Sequence, residues 1–263
     1  MDLGLSDRVA IVAASSQGIG KAVAWGLARE GVKLALCART ESVLLTTAEE
    51  IRRETGTELM ARVVDVTVPE QVHWFVGETA RRFGRLDICV ANAGGPPSKS
   101  FADTSIEDWR RAAELNLMST VYLARETLPL MQARRWGRFI AITSVAVKQP
   151  LEGLILSNSI RCGVSGLVKT LAAEYGACNV LVNNVCPGFT ATDRLTGLAK
   201  SLAAQKGVTP EQIVEAWVSQ APLRRVGHAE ELANVVVFLA SERSSYVTGV
   251  SLAVDGGITK GLY

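Results

Sequence analysis

Histidine is nearly missing from this 263-residue chain, which carries only His73 and His228. With so few imidazoles a histidine-based metal centre is not expected. Cysteine is sparse too. The five thiols, at 37, 89, 162, 178 and 186, form no CxxC pair, and their odd number argues against a disulfide framework. Most stand in apolar surroundings and read as buried thiols, so a reducing cytoplasm is the compartment expected. Long apolar runs are also lacking. VVVFLA at 235–240 falls far short of a membrane span. The opening residues MDLGLSDRVA have neither the basic flank nor the apolar core of an export signal. Neither sign of charge prevails: 28 Lys and Arg face 26 Asp and Glu, a net charge of +2. No basic stripe with interleaved aromatics is present, so no nucleic-acid or membrane partner is expected. Linkers, repeats and low-complexity tracts are absent as well, and residues 1–263 read as one domain.

What is present is a regular alternation of apolar runs and helical patterns, with 48% hydrophobic residues. Strands are expected at Val9–Ala13, Lys33–Cys37, Leu59–Val64, Asp87–Ala91, Arg138–Thr143, Val180–Val185 and Ser251–Val254. These runs lack polar alternation, as strands covered on both faces do. Between them, 3.6-residue periodicity marks helices such as Ile19–Arg29, Ser42–Glu54, Pro69–Phe83, Ile106–Met131 and Glu230–Leu239. The alternation predicts an α/β fold: a doubly wound parallel sheet of about seven strands with helices on both faces. Residues 193–228 depart from it, with short helical patterns at Arg194–Gln205 and Pro210–Val218. Such a sheet binds ligands beyond the carboxyl ends of its strands, so this insert reads as a substrate lid.

Two stretches carry candidate chemistry. After the first strand, AASSQGIG places Ser15, Ser16, Gln17, Gly18, Ile19 and Gly20 at a strand-to-helix turn. Glycines there let backbone N–H groups approach a phosphate, and the helix N-terminus adds the positive end of a dipole. The second stretch runs from Gly137 to Ala173. Ser144 ends its strand, and Ser157 follows thirteen residues later at the start of a helix. Arg161 comes four residues after Ser157, on the same helical face.

This arrangement resembles the short-chain dehydrogenase/reductase family, closest in motif order to its 3-oxoacyl-carrier-protein reductase branch. That family has TGxxxGxG at the first turn, where Ala13 and Ala14 stand here in place of Thr and the first Gly. The resemblance extends over essentially the whole chain and implies a Rossmann fold that binds a nicotinamide dinucleotide. It implies that Asp65, before Val66, binds the adenine amine and that Asn92-Ala93-Gly94 packs against the adenosine ribose. It implies that Asn116 is the helix-bending catalytic Asn. Pro187-Gly188 would be the turn beside the nicotinamide, with Thr190 and Thr192 near its carboxamide and the phosphates. It also implies a homotetramer. The second strand ends in Ala38 and Arg39, with no acidic residue to hydrogen-bond a ribose 2′-hydroxyl. An Arg there accommodates a 2′-phosphate, so NADP(H) is expected over NAD(H).

One departure dominates. The family's catalytic Tyr and Lys positions hold Ser157 and Arg161. A Ser hydroxyl is a far weaker acid than a Tyr phenol of pKa about 10. Ser157 can therefore hydrogen-bond a ligand but is a poor proton donor, while Arg161 keeps the charge and can hold ribose hydroxyls or an anion. Loss of a positioned general acid costs roughly 10²–10⁴ in rate, although hydride transfer belongs to the cofactor. Lys148, four residues after Ser144, is a candidate replacement acid or anion ligand. The expected activity is an oxidoreductase acting on a small-molecule or acyl carbonyl or alcohol. A cofactor-binding pseudoenzyme or sensor, and a non-redox enzyme such as a lyase, are the alternatives.

Overall fold

The computed structural model describes residues 2–262. Among them, the strands are β1 (Val9–Val12), β2 (Lys33–Ala38), β3 (Leu59–Val63), β4 (Ile88–Ala91), β5 (Gly137–Ile142), β6 (Val180–Pro187), β7 (Thr190–Ala191), β8 (Gly227–His228) and β9 (Ser251–Val254). The helices are α1 (Gly18–Arg29), α2 (Glu41–Thr55), α3 (Pro69–Phe83), α4 (Ile106–Ala113), α5 (Ser119–Arg134), α6 (Ile155–Tyr175), α7 (Asp193–Lys206), α8 (Pro210–Gln220) and α9 (Ala229–Ala240). Seven strands form one sheet in the order β3-β2-β1-β4-β5-β6-β9, every neighbouring pair parallel. The order reverses between β1 and β4, which places the binding crevice of such a sheet at their carboxyl ends.

Every residue of β1, β4, β5 and β6 is buried, which is why their sequences show no polar alternation. Alternate residues of one strand serve different layers. Ala10 and Val12 pack with α1, α2 and α9, whereas Val9 and Ile11 pack with α3, α5 and α6. Glycines in the left-handed conformation end two of these helices, Gly56 at φ 68° and Gly84 at φ 70°.

The structure corrects several expected boundaries. Asp65 stands two residues beyond β3 rather than ending it, and β5 stops at Ile142, so Ser144 lies past the strand. The single helix expected over 106–131 is interrupted by a π-helical turn, Glu114–Met118, between α4 and α5. An i→i+5 turn has no signature in 3.6-residue periodicity, and such turns gather at functional positions. The short parallel ladder of β7 with β8 also had no pattern to announce it. It ties together the two ends of the segment that contains α7 and α8. These two helices share a small core in which Phe189 stacks on Trp217 at 4.6 Å.

At the other end of the sheet a guanidinium is fully buried. Arg138, in β5, has no exposed surface. Its charge lies 4.2 Å from the centre of the Trp136 ring, and that of Arg8 lies 3.7 Å from the same ring. Burial pulls the Arg138 pKa down to about 10 against the opposing pull of Glu242. Glu242 accepts from Trp136 Nε1 at 2.8 Å, Arg8 Nη2 at 2.9 Å and Arg138 Nη2 at 3.4 Å. Removing one partner of a buried pair costs roughly 3–5 kcal/mol. Glu242 is itself 41% exposed, so water offsets part of that loss. Glu242→Ala is expected to lower stability by about 2 kcal/mol in urea unfolding. A loss below about 0.5 kcal/mol, the range of an ordinary surface change, would show that the cluster is not held by this carboxylate.

Candidate active site

A single cleft of about 840 Å³ opens along the carboxyl ends of the strands. Its walls bring together most of the residues singled out from sequence. Ser16, Gln17, Gly18 and Ile19 come from the first turn, and Arg39, Asp65 and Val66 from the ends of β2 and β3. Asn92, Ala93 and Gly94 follow β4, Ser144 follows β5, and Ser157 and Arg161 come from α6. Pro187, Gly188, Thr190 and Thr192 close the far side. Four residues stand elsewhere. Ser15 is fully buried, its hydroxyl donating to Cys37 O at 3.3 Å. Gly20 sits where a Cβ would meet the Ala14 carbonyl, so it serves close packing of α1 on the turn. Asn116 is buried behind the wall. Lys148 is half-buried and off the cleft surface, its charge felt by the Cys186 thiol.

The turn has the features a dinucleotide phosphate needs. Gly18 takes φ 56°, and α1 begins with no side-chain cap and no acidic residue in its first turn. Its first N–H groups therefore remain for an anion. Ala14 takes φ 48°, a left-handed conformation that costs a non-glycine residue roughly 1–2 kcal/mol. Asn92 Nδ2 ties this turn to β4 by donating to Ala13 O and Ala14 O, each at 3.3 Å. Asp65 Oδ1 accepts from Thr67 N at 3.0 Å and from Thr67 Oγ1 at 2.8 Å. Arg39 is exposed at the rim and has no ion-pair partner among the described residues. These residues fit a dinucleotide cofactor.

The altered pair is placed differently from the simple picture of two polar groups facing a ligand. Arg161 is only 6% exposed. Its Nη1 donates to Ile142 O at 3.2 Å and Thr143 O at 3.1 Å, and its Nη2 to Gly94 O at 3.3 Å. Burial pulls its pKa down to about 10, and the charge of Arg194 pulls the same way, with Cys186 opposing. The group remains cationic near neutrality. Asn116 Nδ2 donates to the same Gly94 carbonyl at 2.7 Å, and Asn116 Oδ1 is buried with no partner among the described residues. Ser157 is 7% exposed and borders the cleft. Ser144 Oγ accepts from Ala146 N at 3.1 Å, so its hydroxyl proton is free to be offered to a ligand oxygen.

Arg194 was not singled out from sequence. It lies on α7, its Nη2 donates to Pro96 O at 2.5 Å, and a Cβ on Gly95 would come within 2.6 Å of it. Leu195, Leu198 and Ser201 of the same helix also line the cleft. The only available signal was position: Arg194 follows Thr192 by two residues inside the irregular segment. No helix among the described residues is long and apolar enough to cross a membrane.

Comparison with known proteins gives consistent matches. A family model described as "Enoyl-(Acyl carrier protein) reductase" matches residues 13–259. The 3-oxoacyl-[acyl-carrier-protein] reductase of Aquifex aeolicus (strain VF5) is 33% identical, with 98% of this chain and 100% of that one covered. Among solved structures, L-sorbose reductase from Gluconobacter frateurii complexed with NADPH and L-sorbose superposes with a TM-score of 0.94. It is 36% identical and covers 100% of both chains. An actinorhodin polyketide ketoreductase with NADPH is 30% identical with a TM-score of 0.92, over 97% of this chain and 98% of that one.

Restoring glycine at the left-handed position tests whether the turn is strained. Ala14→Gly removes the Cβ penalty but loosens the unfolded chain, which offsets about 0.4–1 kcal/mol. The net expectation is a gain of up to about 1 kcal/mol, or roughly 2–4 °C in Tm for a chain of this size. A fall in Tm in a thermal melt would show that the methyl group packs favourably.

Proposed function

This chain belongs to the short-chain dehydrogenase/reductase family, and from that premise we propose that it is an NADP(H)-dependent oxidoreductase interconverting a carbonyl and an alcohol. The observation that carries the reading is the continuity of one cleft from the glycine turn and Arg39 to Ser144, Ser157 and Arg161. A bound nicotinamide would supply or accept the hydride. The N-terminus of α1 receives the pyrophosphate, Arg39 the 2′-phosphate, and Thr190 and Thr192 the nicotinamide end. The neighbours named above as NADPH complexes support this preference.

Ser144 offers its hydroxyl proton to the substrate oxygen and orients it. Arg161 supplies a fixed positive charge close to where negative charge grows on that oxygen during reduction. Ser157 contributes a hydrogen bond and space, not acidity. The proton comes from water at the open end of the cleft, since Lys148 stands off its surface. Residues 193–228 act as the lid, with α7 presenting Leu195 and Leu198 to the substrate. The missing phenol is also what favours the second reading, a cofactor-holding protein or lyase with no net redox turnover.

Two measurements separate these. Arg39→Asp is expected to weaken NADPH binding at least tenfold, about 1.4 kcal/mol, in a fluorescence titration. Equal affinity of the unaltered protein for NADH and NADPH would refute the cofactor assignment. Ser157→Ala is expected to change turnover only a few-fold, well short of the 10²–10⁴ lost with an essential acid. Ser157→Tyr combined with Arg161→Lys is expected to raise reduction of simple ketones. Folded, NADPH-binding double variant with no such gain would favour the second reading.

A further inference from the structure

Buried charge in this molecule is matched by opposite charge, with one exception. Asp87 is held by Arg85 at 2.7 Å, Asp108 by Lys99 at 2.8 Å and Arg138 by Glu242 at 3.4 Å. Arg161 is as deeply placed, yet no carboxylate lies within 4 Å of it among the described residues. Its partners are backbone carbonyls alone. They take three of its five N–H groups, leaving Nε and one hydrogen of Nη2 without a partner. Arg194 reaches the same loop from the lid; it is exposed overall, has no carboxylate partner among the described residues, and its Nη2 donates to Pro96 O. The two guanidinium groups are near enough for the charge of one to disfavour the other, and desolvation disfavours both. A guanidinium buried without a counter-charge and facing a second cation is costly unless an anion joins them.

The acids of the protein do not fill that role. Asp65 and Asp193 are the acidic side chains on the cleft wall. Asp65 is committed to Thr67, and Asp193 is exposed at the start of α7 with no ion pair to either Arg among the described residues. The cofactor phosphates have their own stations, at the start of α1 and at Arg39. Arg161 instead stands beside Ser144 and Ser157, where the substrate reacts. Ser157 also leaves open the room that a Tyr ring would take. An edge of two N–H donors on a planar guanidinium matches the two oxygens of a carboxylate.

We propose that the substrate of this cleft is a small oxo or hydroxy acid whose carboxylate is held between Arg161 and Arg194. This rests on the oxidoreductase reading above and names its substrate class. The two arginines then form a specificity site that engages only when α7 lies over the cleft.

Calorimetric titration with a charged ketone and its neutral counterpart tests this directly. The probes are 4-oxopentanoate and methyl 4-oxopentanoate, added to the protein saturated with NADP⁺. The acid is expected to bind at least tenfold more tightly than the ester. Arg194→Ala is expected to remove at least tenfold of the acid's affinity, leaving that of the ester and of NADPH within about twofold. Because Arg161→Ala removes three bonds at the strand ends and can unfold the protein, the Arg194 variant carries the test. Equal binding of acid and ester would overturn the proposal. So would an Arg194→Ala protein that loses NADPH affinity and keeps acid affinity, which would assign the charge to the cofactor. Tighter binding of inorganic phosphate than of the acid would replace the carboxylate with a phosphate ester. Selective acid binding with no NADPH consumed on any ketone supports the anion site and defeats the redox reading, so the two failures are distinct.

Discussion

Three carbonyl groups at the carboxyl ends of two neighbouring strands point their lone pairs at one guanidinium. Gly94 O follows β4, and Ile142 O and Thr143 O end β5; Arg161 bonds all three from the start of α6. At the end of a parallel ladder these groups have no strand partner, and buried carbonyls left unpaired cost about 1–3 kcal/mol each. Arg161 thus fixes where β4 and β5 stop, how close α6 sits, and the path of the loop that carries Asn92 to Pro96. Asn116 adds a fourth point by bonding the same Gly94 carbonyl from the π turn. A lysine has its three donors on a single nitrogen, whereas the guanidinium reaches the two carbonyls beside β5 from Nη1 and the one after β4 from Nη2. The substitution at position 161 is therefore structural and electrostatic at once: it braces the floor of the cleft and leaves a charge standing in it.

The fold was legible in the sequence because its main signal is local. Strands buried on both faces must be continuously apolar, and helices that pack on them must be amphipathic, so Val9–Val12 and Pro69–Phe83 announce themselves. The same logic fails where structure depends on distant partners. The π turn around Asn116 is set by Gly94, 22 residues away. The β7–β8 ladder pairs residues separated by the whole α7–α8 segment. Arg138 opens an apolar strand in the sequence, and nothing near it names Glu242, 104 residues away, as the counter-charge.

The cleft shows the same division. Its cofactor half follows short motifs at strand ends, and Gly18, Asn92, Gly94 and Gly188, singled out there from the glycine turn and the family resemblance, all line it. Its substrate half does not. Ser157 and Arg161 could be placed on one helix face, but not the use to which Arg161 puts its donors. Arg194 enters only through tertiary packing, over a glycine whose missing side chain makes room for it. Lys148, close to Ser144 in sequence, is not among the residues lining the cleft; the short helical turn Val145–Val147, which Ser144 caps, stands between them.

The buried charge at the opposite end of the sheet bears on how the protein is made. Arg138 and its counter-ion Glu242 are 104 residues apart. At synthesis rates of about 5–20 residues per second, the guanidinium leaves the ribosome roughly 5–20 s before the carboxylate that neutralises it. During that interval β5 can pair with β4, but Arg138 cannot be sealed under α9, which does not yet exist. The nascent sheet thus keeps a hydrated seam beside Trp136 until α9 and Glu242 arrive. Final closure of the layer formed by α1 and α9 consequently waits on a counter-ion made 104 residues after the charge it neutralises.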